Sequence, residues 1–247
     1  MKKPFLLLIP ALTLLMFLLT SCEEFYFNCL KGNGIIVSQE RNTSQFSGII
    51  SEGEFDIIIV IDTINKVIVE ADENLLPYIR TSVRNDNLIV DNSARRCLRT
   101  NDGRPVLVYV HMPSLFFISL EGSGMIYCDG KIYVDQLRIE LIGSGLIDLR
   151  DVDALEIDAI ITGSGEIELW GVCEEGDLGI TGSGKMKAFH LEQDYCSAGI
   201  SGSGDMYVFV YDHLDVNISG SGNIFYKGNP HINLRISGTG SVINSNK

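Results

Sequence analysis

A Gly-Ser-Gly tripeptide recurs through the second half of the sequence. It begins at Gly122, Gly143, Gly163, Gly182, Gly202 and Gly220, and returns as Gly-Thr-Gly at Gly238. Successive copies are 21, 20, 19, 20, 18 and 18 residues apart, a period of chains that stack one coil upon the next and not of a flexible linker. Two residues before each first glycine stand Leu120, Leu141, Ile161, Ile180, Ile200, Ile218 and Ile236. Four before stand Ile118, Ile139, Ala159, Leu178, Ala198, Val216 and Leu234, and four after stand Ile126, Ile147, Ile167, Met186, Met206, Ile224 and Val242. Even offsets lie on one face of a strand, so all three columns point to one core. The pattern predicts an all-β fold, a right-handed parallel β-helix whose coils turn at the Gly-Ser-Gly corners.

The glycines also occupy even offsets, which places them inward at a corner with no room for a Cβ. The odd offsets carry Ser123, Ser144, Ser164, Ser183, Ser203, Ser221 and Thr239, an outward ladder of hydroxyls. Each coil reads as a strand, a corner, a second strand and a variable return, such as Arg150-Asp151-Val152-Asp153 or Glu174-Glu175-Gly176-Asp177.

Residues 32–115 are β-rich but irregular. Phe55 to Ile61 and Val67 to Ala71 read as a strand pair across the turn 62–65. Asn74 is expected to cap a helical turn with Pro77 in its first turn, and Asn85-Asp86-Asn87 to turn the chain back. From Asp91 to Arg104 the sequence carries Arg95, Arg96, Arg99 and Arg104, a long surface loop that either binds an anion or offsets nearby acid. The domain reading is a signal segment 1–21, a tether 22–31, and one β-helix domain 32–247, divided into the irregular part 32–115 and the regular ladder 116–247.

The signal reading rests on Lys2 and Lys3 followed by an apolar run from Phe5 to Leu19, broken by Pro10 and short for a bilayer span. Leu19-Thr20-Ser21-Cys22 resembles a bacterial lipobox, which makes Cys22 the expected lipidation site and the lipid the membrane attachment. Glu23 and Glu24 after the cysteine are compatible with passage to the outer membrane, and Phe25-Tyr26-Phe27 forms a short aromatic patch. Without residues 1–21 the chain holds 17 basic against 32 acidic residues, a net charge of −15, which excludes nucleic acid as a partner. Five further cysteines cannot all pair within the chain. Cys29 and Cys97, outside the ladder, are the expected disulfide; Cys128 and Cys196 sit at inward positions, where a thiol acts as a small hydrophobe.

Taken with Gly32-Asn33-Gly34, Phe46-Ser47-Gly48-Ile49, the stretch Ala71 to Ile79, and Lys227-Gly228-Asn229-Pro230, the ladder resembles the family described as putative auto-transporter adhesin, head GIN domain. The resemblance spans about residues 32 to 245 and implies a β-helix-like fold on an exported or lipid-anchored bacterial envelope protein. It brings no catalytic residues. The chain shows no translocating barrel, so the auto-transporter half of the description does not carry over.

The Gly-Ser-Gly corners are not phosphate loops, because each runs into a strand and none opens a helix. A repeating calcium site fails on register, since the positions after the corners are Met125, Leu146, Glu166, Lys185, Asp205, Asn223 and Ser241. Asp148, Asp151, Asp153, Glu156, Asp158, Glu166 and Glu168 could gather across two coils and supply an acid and a base, but they read as a solvated face. His111, His190, His213 and His231 share no metal-ligand spacing. Tyr127, Tyr207 and Phe225 point outward at one repeated offset, and with Trp170 they are the candidate binding surface. The expected function is a non-catalytic, lipid-anchored module of the outer membrane that presents a flat, acidic face to a glycan or protein, without cofactor or metal. The alternatives are a self-associating structural protein, which implies a homo-oligomer, and a carbohydrate-active enzyme.

Overall fold

The structure, a computed structural model, describes residues 29–94 and 96–246. The signal segment, Cys22 and the 25–27 aromatic patch lie outside the described residues. Among the described residues 72% lie in strands and the single helical element is a 3-10 turn, so the all-β expectation holds. The coils stack as a β-solenoid of about six turns, with Gly122 opposite Gly143 and the register continuing through Gly163, Gly182, Gly202 and Gly220 to Gly238. The even columns fill the interior: Leu120, Leu141, Ile161, Ile180, Ile200 and Ile218 are each at most 2% exposed. At about 1.5 to 3 kcal/mol per buried aliphatic side chain, these columns are the main source of cohesion.

Two features of the coil differ from the sequence reading. The variable returns are themselves strand, because Leu146–Gly163, Glu166–Gly182 and Lys185–Gly202 each run unbroken from one corner to the next. A return with a neighbour above and below can pair its backbone groups, so the slack in coil length is taken up by register shifts, as between Leu149 and Val152 or Ala188 and Glu192. The two glycines of a corner are also constrained differently. A Cβ on Gly182 would fall on the Gly163 carbonyl of the coil before it, at a φ of +125°, whereas one on Gly184 would meet the Ile161 side chain in the core at 2.6 Å. Only the second glycine is kept small by the interior.

The irregular half adds two further layers to the stack. Gly48–Gly53 pairs in parallel with Phe117–Gly122, putting Gly53 opposite Gly122, so Gly53-Glu54-Phe55 is an earlier corner without a second glycine. Asn87–Asn92 and Val106–Met112 form the layer before it. The expected pairing of Phe55–Ile61 with its successor does not form: Val106–Met112 lies between, parallel to Phe55–Ile61 and antiparallel to Lys66–Asp72. Ile36–Arg41 and Ile79–Arg84 complete an antiparallel cap over this end. Asn85 and Asp86, with φ of 48° and 61°, make the two-residue turn into Asn87–Asn92.

Pro77 does stand in the first turn of the 3-10 helix Leu76–Tyr78, but Leu75 and not Asn74 caps it. The Asn74 side chain instead accepts the Asn33 N–H at 2.9 Å and donates to the Lys31 carbonyl at 2.8 Å. Fully buried Asp72 beside it accepts the Gly34 and Asn101 N–H groups, at 2.5 and 3.3 Å, and so ties the N-terminal segment to the loop after Asn92.

The opposite end is open. His231–Gly238 and Ser241–Asn244 pair on one side only, and Leu234 and Ile236, inward by parity, are 51% and 43% exposed. No aspartate or glutamate follows Asp215 in the sequence.

Candidate functional site

The strand that leaves each corner turns its odd-numbered offsets outward, and in-register stacking converts one offset into a column along the molecule. At the fifth position after the first glycine the column reads Tyr127, Asp148, Glu168, Lys187, Tyr207 and Phe225. Tyr207 and Phe225 therefore meet, their rings stacked at 4.8 Å and 7°. Tyr127 stands apart, with the layers of Asp148, Glu168 and Lys187 between it and Tyr207. All three rings are half-buried.

The intervening layers hold a connected polar network. Arg150 donates to Asp148 at 2.6 Å, approaches Glu168 at 3.8 Å, and lies 4.9 Å above the Trp170 ring. The Trp170 indole N–H donates to Glu168 at 3.0 Å, and the His190 ring stacks on Trp170 at 3.8 Å. Lys187 donates to Glu166 at 2.5 Å and stands 3.8 Å from Glu168. The bonds to Asp148 and Glu166 hold Arg150 and Lys187 above their ordinary pKa values, so both stay cationic. Beyond them Phe189 packs edge-on against Tyr207 at 5.2 Å, with the Lys227 ammonium 4.4 Å over the Phe189 ring. The result is a continuous band of rings and ion pairs along one face. Within it Asp148, Glu166 and Glu168 are countered by Arg150 and Lys187, with Lys227 beyond them.

One atom in this band lacks a partner. Asp148 is 7% exposed, and its Oδ1 accepts no hydrogen bond although Oδ2 is held by Arg150. An orphaned buried acceptor is costly unless water or a ligand donor reaches it.

Of the seven acids considered for catalysis, three are brought together, and these are engaged by Arg150 and Lys187. Asp148, Glu166 and Glu168 belong to the band, while Asp153 pairs with Lys131 at 2.9 Å, Glu156 accepts from Gln136 at 2.6 Å, and Asp158 lies 3.8 Å from Arg138. The histidines are dispersed as well. His111 contacts Asp62 at 3.1 Å, and His213 and His231 are neighbours at 5.3 Å beside Tyr195. Among the described residues no group of three or more His, Cys, Asp or Glu could hold a metal ion.

Cys29 and Cys97 form a disulfide; Cys128, Cys173 and Cys196 are free and buried. Burial pushes the Cys128 and Cys173 thiols up to about 11 and about 12, and raises Cys196 as well. None is a thiolate at neutral pH, so none is a ready nucleophile.

The sequence reading missed the Trp170–His190 stack and the cation ladder that links the aromatics. The signal was present in the offsets: reading the fifth and seventh positions across all coils brings Asp148, Arg150, Glu168, Trp170 and Lys187 into one band.

The model of the family described as putative auto-transporter adhesin, head GIN domain, matches residues 45–230. Among solved structures, a putative adhesin from Bacteroides fragilis NCTC 9343 superposes with a TM-score of 0.81 at 20% identity, covering 87% of this chain and 100% of that one. A putative lipid binding protein from Parabacteroides distasonis ATCC 8503 gives 0.74 at 24% identity, with 88% and 100% covered. A putative adhesin from the same organism gives 0.70 at 25% identity, again with 88% and 100% covered. The first two are likenesses of fold alone. No curated protein matches the chain.

Proposed function

The chain belongs to the putative auto-transporter adhesin, head GIN domain family, and from that premise we propose that it is a non-catalytic binding module of the cell envelope, engaging a glycan through its band of rings and ion pairs. The observation that carries this reading is the alignment of Trp170, Phe189, Tyr207 and Phe225 along one rigid face, with charged groups between them. The half-exposed rings offer apolar surface to the C–H faces of a sugar, and the interleaved carboxylates and cations meet its hydroxyls. Ion-paired acids and protonated thiols support a role without catalysis.

A glycan array and a pull-down with the domain test this. Replacing Trp170, Tyr207 and Phe225 together by alanine is expected to weaken binding by about 2 kcal/mol or more, roughly thirtyfold, at a temperature where circular dichroism shows the variant still folded. Retention by the triple variant of every ligand at full affinity would remove the face from consideration.

Attachment to the membrane is proposed to occur through lipid on Cys22, on the strength of the lipobox-like Leu19-Thr20-Ser21-Cys22. Cys22→Ser is expected to shift the protein from the membrane to the soluble fraction of fractionated cells. Unchanged membrane association of that variant would rule the anchor out.

A further inference from the structure

We propose that a second site, independent of the band of rings, lies under the loop 93–105 and takes an acidic saccharide. Arg96 and Arg99 hold its oxyanion, and Glu54 and Asp56 accept its hydroxyls.

The site arises from an interruption of the stack. From Gly122 onward the corner is crossed by Gly-Ser-Gly or Gly-Thr-Gly, but the layer that leaves the stack at Asn92 rejoins it only at Val106. The detour lifts off the stack and leaves a recess of 940 Å³ between itself and the corners of the next two layers. Its walls include Arg96, Arg99 and Arg104 from the loop, with Glu54 and Asp56 facing them from the stack.

The loop is held firmly for an irregular segment. Cys97 is bonded to Cys29, and Leu98–Arg99 pairs in parallel with Leu30–Lys31. The Asn92 side chain accepts the Ala94 N–H at 2.8 Å and donates to the Arg96 carbonyl at 2.7 Å. Further along, the Asn101 N–H reaches the buried Asp72 carboxylate at 3.3 Å. Arg96 and Arg99 thus stand on a restrained backbone, which reduces the ordering cost of binding.

Charge defines the ligand. In a chain of net charge −13, neither Arg96 nor Arg99 has an ion-pair partner among the described residues, while Arg104 is engaged by Asp102 at 2.5 Å. Two free guanidinium groups match a carboxylate, sulfate or phosphate ester through paired N–H donors. The carboxylates opposite would repel a simple polyanion, yet they accept well from hydroxyls. Burial draws the Asp56 carboxyl upward while the Met125 N–H donates to it, so this acceptor is fixed and partly desolvated. A sugar bearing one acidic group presents both features at once: an oxyanion for the arginine wall and hydroxyls for the acidic wall.

Titration calorimetry on the whole protein, with a sulfated disaccharide, a glucuronate-containing disaccharide and a neutral disaccharide as probes, tests the assignment. At least one acidic probe should bind, and the neutral one at least about tenfold more weakly. R96E/R99E should lose roughly tenfold or more, whereas R235E, at the other end of the stack, should bind as the parent does. The milder R96Q/R99Q, with a melting curve as a check of folding, separates lost contacts from a damaged loop. Dithiothreitol, by releasing Cys97 from Cys29, should also weaken binding. The triple variant of Trp170, Tyr207 and Phe225 should retain it, which keeps this site distinct from the glycan face. Equal binding of neutral and acidic probes, unaltered binding by R96E/R99E, or no binding of any acidic probe would overturn the proposal.

Discussion

Gly182→Ala is expected to destabilise the domain by about 4 kcal/mol or more, although it adds one methyl group to a position that is not part of the hydrophobic core. Two effects combine. The φ of +125° is one that side chains with a Cβ rarely adopt, and the added carbon would fall on the carbonyl oxygen of Gly163 in the preceding coil. That carbonyl cannot withdraw, because it accepts the Ser183 N–H at 2.8 Å and belongs to the backbone ladder joining the two layers. Relief would require the corners to separate, and each layer depends on the one before it. In a stack held together by nearest-neighbour interfaces, such a fault divides the cooperative unit in two. Gly199→Ala is the control. Its Cβ would meet nothing closer than the Leu178 carbonyl at 3.9 Å and its φ is ordinary, so a change within about 1 kcal/mol is expected. Urea unfolding followed by circular dichroism compares the two, and equal midpoints would show that the corner is not constrained as described.

Removing the disulfide is expected to have the next largest effect. Cys29 and Cys97 are 68 residues apart, and the chain-entropy relation for a closed loop of that size gives about 4 kcal/mol. The loss should fall unevenly. The bond secures the cap and the detour after Asn92, while the ladder from Gly122 onward carries its own core. Cys29→Ser/Cys97→Ser should therefore unfold in two steps, the cap at lower temperature and the regular coils near the original midpoint. Calorimetry with hydrogen exchange resolves the steps. A single transition at the parent temperature would mean that the cap is held by packing around Asp72, Leu75 and Phe46 without the covalent tie.

Much of the fold was legible because the ladder repeats one physical constraint. Leu120, Leu141 and Ile161 share a face by parity alone, and a strict period leaves stacking as the way to bury that face. Gly53-Glu54-Phe55 escaped notice for the same reason: with phenylalanine in place of the second glycine, the sequence does not mark it as a corner, and only its pairing with Gly122 does. The strand order of the cap was illegible because Val106–Met112 is inserted between two segments that are adjacent in sequence, a non-local choice that no turn residue signals. Asn74 looked like a helix cap because it precedes Pro77, but a side chain that can bridge Asn33 and Lys31 has distant partners invisible to local reading. In the binding face, single residue types were visible and their neighbours were not. Trp170 stood out as the only tryptophan, yet its relation to His190 depends on a register shift between Glu168 and Trp170.

The open terminal coil changes how the charge of this molecule should be understood. Residues after Asp215 include Lys227, Arg235 and Lys247 and no carboxylate side chain, so all the acidic side chains precede them in sequence. At physiological ionic strength an exposed charge is screened within about 8 Å, less than the height of two coils at about 4.8 Å each. The two ends of the stack are then electrically separate objects. A surface approaching the last coil meets a weakly cationic, partly apolar tip, while every acidic side chain of the chain lies before it in sequence. The molecule is a rod with an electric polarity, and its net charge of −13 describes neither end.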